Sequence, residues 1–427
     1  MDPLEFHRGG KIGIIPKVPL ETREHLSLAY TPGVAEPCKE IARVNEKVYE
    51  YTSKGNLVAV VSDGSRILGL GNIGPLAGLP VMEGKALLFK RFGGIDAFPI
   101  MIKEQDPEMF IEVVKAISPT FGGINLEDIA SPKCFYILDR LRKELDIPVF
   151  HDDQQGTAAV VLAGLINALK VVGKKLSEIT IALFGAGAAG FATLRILVEA
   201  GVNPGNVRVV ELVNGEPRIL TNDLDLEALF PYRGWLLEKT NSEGIEGGPE
   251  KALNGADVLI SFTRPGPGVI KPEWIKKMAD DAIVFPLANP VPEILPEDAK
   301  KAGARIVATG RSDYPNQINN LLGFPGIFRG ALDVRAKSIT DGMIIEAAKA
   351  IASVVEDVSE ENIIPSPLNP LVYAKEARAV AEEAIREGVA RIKVKGEEIE
   401  ENTLKLIKFY EEVIAPITKK IMEIRRA

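Results

Sequence analysis

The chain has 427 residues, of which 46% are hydrophobic and 26% are charged, and its formal net charge at pH 7 is -8. This length exceeds what one hydrophobic core usually supports, and the composition is that of an ordinary globular protein, so we expect two domains. The negative net charge disfavours nucleic acid as a main partner, because phosphate binding needs a basic face.

The sequence shows no sign of membrane attachment or export. No apolar run reaches the length of a membrane span, and the N-terminal stretch MDPLEFHRGGKIG lacks the apolar core of a signal peptide. The two cysteines, Cys38 and Cys134, cannot build a disulfide framework and do not stand at metal-ligand spacing. We therefore expect a cytoplasmic protein with no membrane partner.

The first third of the chain alternates predicted strands and helices. NLVAVVSDG, from Asn56 to Gly64, is typical of a buried strand that ends in a turn, and DAFPIMI is a second extended segment. The next helix is predicted to start at Pro107, with Asp106 as its N-cap. An extended GGINLEDI, a helix in SPKCFYILDRLRKEL and a strand in IPVFHDD follow. We predict an N-terminal α/β domain over residues 1–155.

From Thr157 the pattern becomes doubly wound. A helix stops at Gly173, and the strands EITIALFG, NVRVVELV, ADVLISFT, AIVFPLAN and ARIVATG then alternate with helical or loop segments. Such alternation predicts a parallel sheet that is covered on both faces. We predict this α/β domain over residues 156–365 and a C-terminal helical segment over 366–427, with three helices from about Ile339 onward.

A glycine-rich loop lies between the first strand of this second domain and its helix. In FGAGAAG, Gly185 permits the tight turn, Gly187 lets a pyrophosphate approach the backbone at a helix N-terminus, and Gly190 lets the helix pack closely. The spacing alone also occurs in ordinary tight turns. Because the next strand ends at Glu211, near the offset of a ribose-binding acid, we predict a Rossmann-type NAD(P)-binding domain.

Glu211 bears on the choice of coenzyme. Its charge would repel the 2′-phosphate of NADP, which favours NAD, but a solvated acid at a strand end would give the same pattern. Arg264, in ISFTRPGPG, could approach a coenzyme phosphate. NADP use therefore stays open.

Two pairs of adjacent acids follow extended segments: Glu127 and Asp128 in NLEDIASPKCF, and Asp152 and Asp153 in VFHDDQQGTAAVVLAG. Neighbouring residues of a helix do not share a face, so both members of a pair converge only from a loop. Carboxylates gathered at strand ends form an oxygen-ligand site for Mg²⁺ or Mn²⁺. Either pair alone is explained more simply by capping or solvated acids, but both pairs beside a nucleotide domain favour the metal site.

A lysine, Lys85, lies inside the apolar run LPVMEGKALLFKRFGG. Such a lysine usually extends its ammonium group to the surface. To act as a base, its pKa would have to fall far below the usual ~10.4, and burial and a nearby divalent cation both lower it. Asp152 is then a natural partner of Lys85, with Asp153 facing the metal.

Taken together and in this order, the motifs resemble those of the malic enzymes, the decarboxylating malate dehydrogenases. The similar blocks run from LSLAYTPGVAEPCKEI through SDGSRILGLGNIG, MEGKALLFKRFGGIDAFPI, NLEDIASPKCF, FHDDQQGTAAVVLAG, FGAGAAG and LANPVPEI to YPNQINNLLGFPGIFRGALDV. The length is close to that of the compact microbial form. The resemblance implies metal-dependent oxidative decarboxylation of L-malate to pyruvate and CO₂ with reduction of NAD or NADP, by a homodimer or homotetramer.

The resemblance also implies roles for single residues. Lys85 would be the general base with Asp152 beside it, and Tyr30 would protonate the enol intermediate. The implied metal ligands are Glu127, Asp128 and Asp153. The implied substrate-binding residues are Arg66, Asn289 and Asn320. The predicted coenzyme-binding residues are Thr157, Gly185, Ala186, Gly187, Ala188, Ala189, Gly190, Glu211 and Asn289.

Three other functions stay open at this point. A malolactic enzyme, which converts malate to lactate with bound NAD, shares this architecture and these motifs. A non-catalytic dinucleotide-binding protein would have no need of Lys85. An amino-acid dehydrogenase such as glutamate dehydrogenase uses lysine and aspartate but no divalent metal, so sensitivity to a chelator separates it from the malic enzymes.

Overall fold

A four-stranded parallel sheet organises the first part of the chain. The computed structural model describes residues 2–222 and 231–426. The strands of this sheet are β1 (Leu57–Ser62), β2 (Asp96–Met101), β3 (Gly123–Leu126) and β4 (Val149–His151). Their order is β2-β1-β3-β4, and every pairing is parallel. Because the carboxyl ends of parallel strands meet at one edge, the residues that follow β3 and β4 lie side by side.

Helices cover this first sheet. The helices described before β4 are α1 (Pro3–His7), α2 (Arg23–Ala29), α3 (Ala35–Arg43), α4 (Val48–Tyr51), α5 (Pro75–Gly93), α6 (Pro107–Ile117) and α7 (Lys133–Glu144). Helix α5 packs on β1 and β2, and α7 packs on β4. As predicted, α6 begins at Pro107, and the Asp106 side chain accepts a hydrogen bond from the backbone N–H of Met109.

The second sheet has six strands among the described residues. They are β5 (Ile181–Phe184), β6 (Val207–Val213), β7 (Glu216–Ile219), β8 (Val258–Ser261), β9 (Ile283–Pro286) and β10 (Ile306–Val307), in the order β10-β9-β8-β5-β6-β7. The five predicted strands are parallel to one another, as expected, and the sheet has one further edge strand that was not predicted, β7, which runs antiparallel to β6. Asn214 and Gly215 join them with positive φ at both residues, which is the backbone of a type I′ hairpin turn.

Helices cover both faces of the second sheet and form the end of the chain. They are α8 (Thr157–Val172), α9 (Ala188–Glu199), α10 (Pro231–Lys239), α11 (Pro249–Leu253), α12 (Pro272–Ile275), α13 (Pro296–Lys301), α14 (Phe324–Asp333), α15 (Asp341–Ser353), α16 (Pro370–Arg386), α17 (Gly396–Phe409) and α18 (Ala415–Arg426). A π turn at Tyr410–Ile414 joins α17 to α18, so α15, α16 and this long helix are the three predicted C-terminal helices.

A second π turn, Asp152–Gly156, joins β4 directly to α8. The helical stretch 152–172 therefore has 21 residues, and a window of 18 residues within it has a mean hydropathy of 1.5, so the stretch is long and apolar enough to cross a membrane. The expectation that no segment reaches this length was wrong, because the π turn extends the helix toward its N-terminus. In the fold, 72% of this apolar window is buried inside the protein, as in the core helix of a globular domain.

Aromatic packing joins the two halves of the chain. Helix α14 follows the second sheet in sequence but packs against α5, which covers the first sheet. The ring of Phe89 meets the rings of Phe324 and Phe328 edge to face, with centroid distances of 4.7 and 5.2 Å, and Phe150 of β4 lies 5.4 Å from Phe328. This contact places the segment before α14 at the carboxyl edge of the first sheet. The domain boundaries at 155 and 365 stay a prediction.

One buried acid in α16 has no charge partner in the described chain. Glu376 is 0% exposed, and neither carboxylate oxygen has a hydrogen-bond partner there. A side chain at Gly326 of α14 would collide with this carboxylate, so the two helices approach closely at this point. Burial raises the pKa of Glu376 well above its ordinary value, so the fold favours the protonated form.

We expect Glu376→Gln to stabilise the protein at alkaline pH. A raised pKa in the folded state contributes stability that is present below the unfolded-state pKa and is lost as the pH rises through the folded-state pKa. Scanning calorimetry at pH 5 to 9 should therefore show a higher Tm for the variant at high pH, by the equivalent of about 1–3 kcal/mol, with a gap that narrows toward low pH. Glu382→Gln, at an exposed position of the same helix, should show no such trend.

Candidate active site

Four acids meet at the carboxyl edge of the first sheet. Leu126 of β3 is paired with His151 of β4, so the residues that follow them, Glu127 and Asp152, are neighbours. The backbone N–H of Glu127 donates to the carbonyl of Val61, which holds this residue beside β1. Parallel register thus accounts for the convergence of two acids that are 25 positions apart in sequence.

Three of the acids surround a common point. One ligand oxygen each from Glu127, Asp128 and Asp153 lies within 4.8 Å of the others. Asp128 has a positive φ of 52°, an uncommon conformation for a residue other than glycine, and this turns its side chain toward the same point as that of Glu127. The backbone N–H of Asp128 also donates to Asp153 Oδ2 over 3.0 Å. The structure therefore brings the three predicted metal ligands together.

The electrostatics of this group fit a divalent cation. Burial raises the pKa of Asp128 to about 7, and the nearby charge of Asp153 adds to the shift. Burial also raises the pKa of Glu127. Asp128 Oδ2 is buried and has no hydrogen-bond partner in the described chain. Buried carboxylates without sufficient positive charge are unfavourable, and oxygen ligands in this number suit Mg²⁺ or Mn²⁺.

Lys85 of α5 lies next to these acids. It is 8% exposed, its Nζ hydrogen-bonds to Asp152 Oδ2, and the same Nζ lies 3.1 Å from Glu127 Oε1. Nζ also lies 4.3 Å from the centroid of the Phe324 ring, a cation–π contact. Burial disfavours the ammonium form, but the charges of Asp152 and Glu127 outweigh it and hold the pKa of Lys85 above its ordinary value. With these acids as its neighbours, the lysine is charged.

Asp152 is shared between the two halves of the molecule. It is 0% exposed and accepts hydrogen bonds from Lys85 and from the side-chain amide of Asn320, which precedes α14. Burial raises the pKa of Asp152 to about 6, although the charge of Lys85 opposes this shift. The predicted pairing of Lys85 with Asp152 is present, and Asn320 lies beside it.

The glycine-rich loop has the geometry of a dinucleotide-binding turn. Gly185 follows β5 with a φ of 82°, and a Cβ at Gly190 would lie 1.9 Å from the carbonyl oxygen of Gly185. Helix α9 then starts at Ala188, so its N-terminal N–H groups are directed toward the loop. Glu211 lies within β6, which continues to Val213 and does not end at Glu211 as predicted, and its carboxylate accepts a hydrogen bond from the backbone N–H of Ala186. The predicted acid therefore lies at the glycine-rich loop.

Other predicted residues lie at the rim or away from the acids. Arg66 is exposed, and its backbone N–H donates to the Asp128 carbonyl over 3.2 Å. Asn289 is exposed, and a Cβ at Gly69 would lie 3.5 Å from its carbonyl oxygen, so Asn289 lies next to the loop that follows β1. Tyr30 is 71% exposed and makes no side-chain hydrogen bond within the described residues. The structure does not place Tyr30 in the group around Lys85.

Two buried polar residues that fix the position of a predicted site residue or of neighbouring loops were not predicted from the sequence. Asn125 donates from Nδ2 to Glu127 Oε2 over 2.9 Å; two positions apart on or just beyond one strand, they share a face. Glu293 is 0% exposed and accepts hydrogen bonds from the side chain of Ser261, from Thr263 and from the backbone N–H of Ala288. Its carboxylate thereby ties the loop after β8 to the loop after β9.

Comparison with known proteins assigns the family. The family model of the malic enzyme N-terminal domain matches residues 9–142, and that of the malic enzyme NAD-binding domain matches residues 154–210 and 255–386. The chain belongs to the malic enzyme family. The first match contains Lys85, Glu127 and Asp128, the second contains the glycine-rich loop, and Asp152 and Asp153 lie between the two.

Malic enzymes of known sequence or structure are similar over most of the chain. The NAD-dependent malic enzyme of Geobacillus stearothermophilus is 54% identical over 90% of this chain and 79% of its own length. The bifunctional malic/malolactic enzyme of Bacillus subtilis is 50% identical over 95% of this chain and 98% of its own. A crystal structure of malic enzyme from Pyrococcus horikoshii Ot3 is 84% identical and superimposes with a TM-score of 0.97 over 98% of both chains.

We expect Asp128→Asn to abolish the stabilisation of the protein by Mn²⁺. The substitution removes one of three acidic ligands, whereas the metal-free protein should keep or slightly raise its Tm because repulsion among the acids falls. Differential scanning fluorimetry with and without Mn²⁺ measures both effects. Glu112→Gln, on the exposed face of α6, should keep the full Mn²⁺ shift, and a full shift in Asp128→Asn would rule out this residue as a ligand.

Proposed function

We propose that the protein catalyses the oxidative decarboxylation of L-malate to pyruvate and CO₂, with Mg²⁺ or Mn²⁺ and with NAD as the preferred coenzyme. One observation carries the proposal: a three-carboxylate group lies directly beside a buried Lys85–Asp152 pair. A non-catalytic dinucleotide-binding protein needs neither group. An amino-acid dehydrogenase has no use for the three carboxylates.

Glu127, Asp128 and Asp153 would hold the divalent cation, and Arg66, Asn289 and Asn320 would bind the substrate. When bound, the cation supplies Lewis-acid stabilisation of negative charge on substrate oxygens and opposes the ammonium form of Lys85. Arg66 suits a substrate carboxylate because its guanidinium forms charge-assisted hydrogen bonds, and it is free to reach one from the rim. Asn320 keeps its carbonyl oxygen for other contacts while its amide group holds Asp152.

Proton transfers would centre on Lys85. The neutral lysine would take the C2 hydroxyl proton of malate, and bound NAD would supply the hydride acceptor for C2, so that a β-keto acid would form. This acid loses CO₂ and leaves an enolate, to whose oxygen Lys85 returns the proton. Tyr30 then protonates C3 while Lys85 takes the enol O–H proton back, and pyruvate forms. Asp152 accepts a hydrogen bond from Lys85 throughout and fixes its direction toward the substrate.

The malolactic reaction is the second candidate function. It is supported by one finding: the similar protein of Bacillus subtilis is named a bifunctional malic/malolactic enzyme. The two outcomes differ in product. Free reduced coenzyme and pyruvate accumulate in oxidative decarboxylation, whereas lactate leaves and NAD stays bound in the malolactic reaction. Separate assays of pyruvate, lactate and reduced nicotinamide from one reaction mixture distinguish them.

We also propose that the protein forms a homodimer or homotetramer and is located in the cytoplasm. The C-terminal helix supports assembly, because Phe409, Val413, Ile417 and Ile421 form a stripe with a spacing of four residues and each is at least 41% exposed. An apolar stripe of this kind is normally covered by another helix or subunit.

Lys85→Ala should lose essentially all turnover of L-malate and keep its affinity for the coenzyme and Mn²⁺. General acid–base catalysis contributes about 10²–10⁴-fold, so the loss in kcat should reach that size. Turnover is followed by reduced nicotinamide, and binding by fluorescence titration. Lys90→Ala, a variant of the same helix whose lysine pairs with Asp96, should stay active. Unchanged turnover by Lys85→Ala would refute its assignment as the base.

Glu211→Gln should shift coenzyme preference toward NADP. Glutamine can still accept the hydrogen bond from Ala186, so the loop is kept, but the charge that repels a 2′-phosphate is removed. We expect the ratio of kcat/KM with NAD to kcat/KM with NADP to fall roughly tenfold, the equivalent of ~1.4 kcal/mol. Steady-state kinetics with both coenzymes measure this ratio. A ratio that does not move would mean that Glu211 does not face the 2′ position.

A further inference from the structure

A buried ion pair lies at the start of the loop that carries Arg66. Asp63, which directly follows β1, is 0% exposed, and its Oδ2 lies 2.5 Å from Nζ of Lys133, the first residue of α7. The same Nζ donates a hydrogen bond to the carbonyl of Gln105 over 2.9 Å. In the part of the chain that the structure describes, Lys133 is the only residue that forms an ion pair with Asp63. Because a buried carboxylate without a counter-charge is strongly unfavourable, the pair ties the end of β1 to the start of α7.

The β1 loop, which we define as residues 63–74, is closed where it begins and ends. The backbone N–H of Gly74 donates to the carbonyl of Gly64 over 3.2 Å, and a Cβ at Gly64 would lie 2.3 Å from the carbonyl carbon of Gly74. The side-chain amide of Gln105, which follows β2, donates to the carbonyl of Asp63 over 3.4 Å. Since the loop is a closed unit, the contacts at its first residue hold the whole loop in place.

Three hydrogen bonds join the β1 loop to the loop that carries two of the predicted metal ligands. The backbone N–H of Arg66 donates to the carbonyl of Asp128 over 3.2 Å, and that of Leu68 donates to Asp128 Oδ1 over 3.3 Å. The backbone N–H of Ala130 donates to Ser65 Oγ over 2.8 Å. The position of the β1 loop therefore determines where Arg66 lies relative to the acids.

The side chain of Arg66 depends on this backbone for its position. Arg66 is exposed, whereas its neighbours Ser65 and Ile67 are only 8% and 1% exposed. Its guanidinium group makes no hydrogen bond or ion pair with the other residues that the structure describes. Charge-assisted hydrogen bonds to a carboxylate require a defined geometry, and a displacement of 1 Å can reduce catalytic efficiency by about 100-fold.

We propose that Lys133 is a positioning residue for substrate binding: through its ion pair with Asp63, it holds the β1 loop where Arg66 can reach a carboxylate of L-malate. The inference deepens the proposed function, because it rests on Arg66 as a residue that binds malate. Arg66 would contact the same carboxylate in the ground state and in the transition state. Loss of its position should therefore raise KM and leave kcat nearly unchanged.

The first test is Lys133→Met, which removes the charge and keeps an unbranched side chain. We expect KM for L-malate to rise roughly 10- to 100-fold while kcat stays within about threefold of the wild-type value. The dissociation constant of L-malate, measured by calorimetry with Mn²⁺ but without coenzyme so that no turnover occurs, should rise by the same factor as KM. A rise in neither quantity would overturn the proposal.

Two matched variants show whether the charge of Lys133 is what matters. Lys133→Arg keeps a positive charge beside Asp63 and should bring KM back to within about threefold of the wild-type value. Lys143→Met changes an exposed lysine of the same helix and should leave KM unchanged. Should Lys133→Met fail to fold, its combination with Asp63→Asn leaves no unpaired buried charge, and the same rise in KM is expected.

A double-mutant cycle shows whether Lys133 acts through Arg66. Arg66→Ala alone should raise KM for L-malate, and adding Lys133→Met to it should raise KM further by less than about twofold, because the side chain that Lys133 positions is already absent. A merely structural role would disturb the site in both backgrounds. If the two effects multiply, the proposal is overturned.

Metal binding separates an effect on Arg66 from an effect on the acids. Lys133→Met should keep the rise in Tm that Mn²⁺ causes, because the backbone N–H groups of Glu127 and Asp128 donate to Val61 and Asp153, which are not part of the β1 loop. Loss of the Mn²⁺ effect would overturn the proposal. The proposed function fails separately, if the wild-type protein does not turn over L-malate.

Discussion

The buried carboxylate of Asp152 is the contact on which the site depends. It lies at the end of a strand of the first sheet, and it holds Lys85 from the helix that covers this sheet and Asn320 from the segment that follows the second sheet. A buried acid that stays ionised needs positively charged or donor groups around it, so the two halves of the chain must meet correctly for the Asp152 carboxylate to be accommodated. The rings of Phe89, Phe324 and Phe328 pack against one another and bring the two halves of the chain together at this point.

The two sheets of the malic enzyme fold contribute different groups on either side of this contact. The first sheet supplies acids at its carboxyl edge, and the second supplies a glycine-rich loop at the start of α9. The π turn at Asp152–Gly156 connects one to the other without a linker, so the residue beside Lys85 and the helix that leads into the coenzyme domain are one continuous element. In the second half, Glu293 joins the loops that follow β8 and β9.

The sequence predicts those parts of the site that depend on local pattern. Adjacent acids after extended segments identified Glu127 and Asp153, and glycine spacing identified the loop at Gly185, because strand ends and tight turns leave short-range signals. Asn320 could be predicted only from family resemblance, since its partner Asp152 is 168 positions away. The antiparallel β7 was missed although Asn214–Gly215 is a strong hairpin signal. Burial of Glu376 was not predictable, because helix contacts, not neighbours in sequence, determine it.

The account rests on three acids that share one cation beside a buried lysine. A crystal structure of the protein soaked in Mn²⁺, with anomalous scattering at the manganese edge, tests it most directly. The account predicts one strong peak within about 2.3 Å of oxygens from Glu127, Asp128 and Asp153, adjacent to Lys85. A peak elsewhere, or no peak while these carboxylates point away from one another, would contradict it.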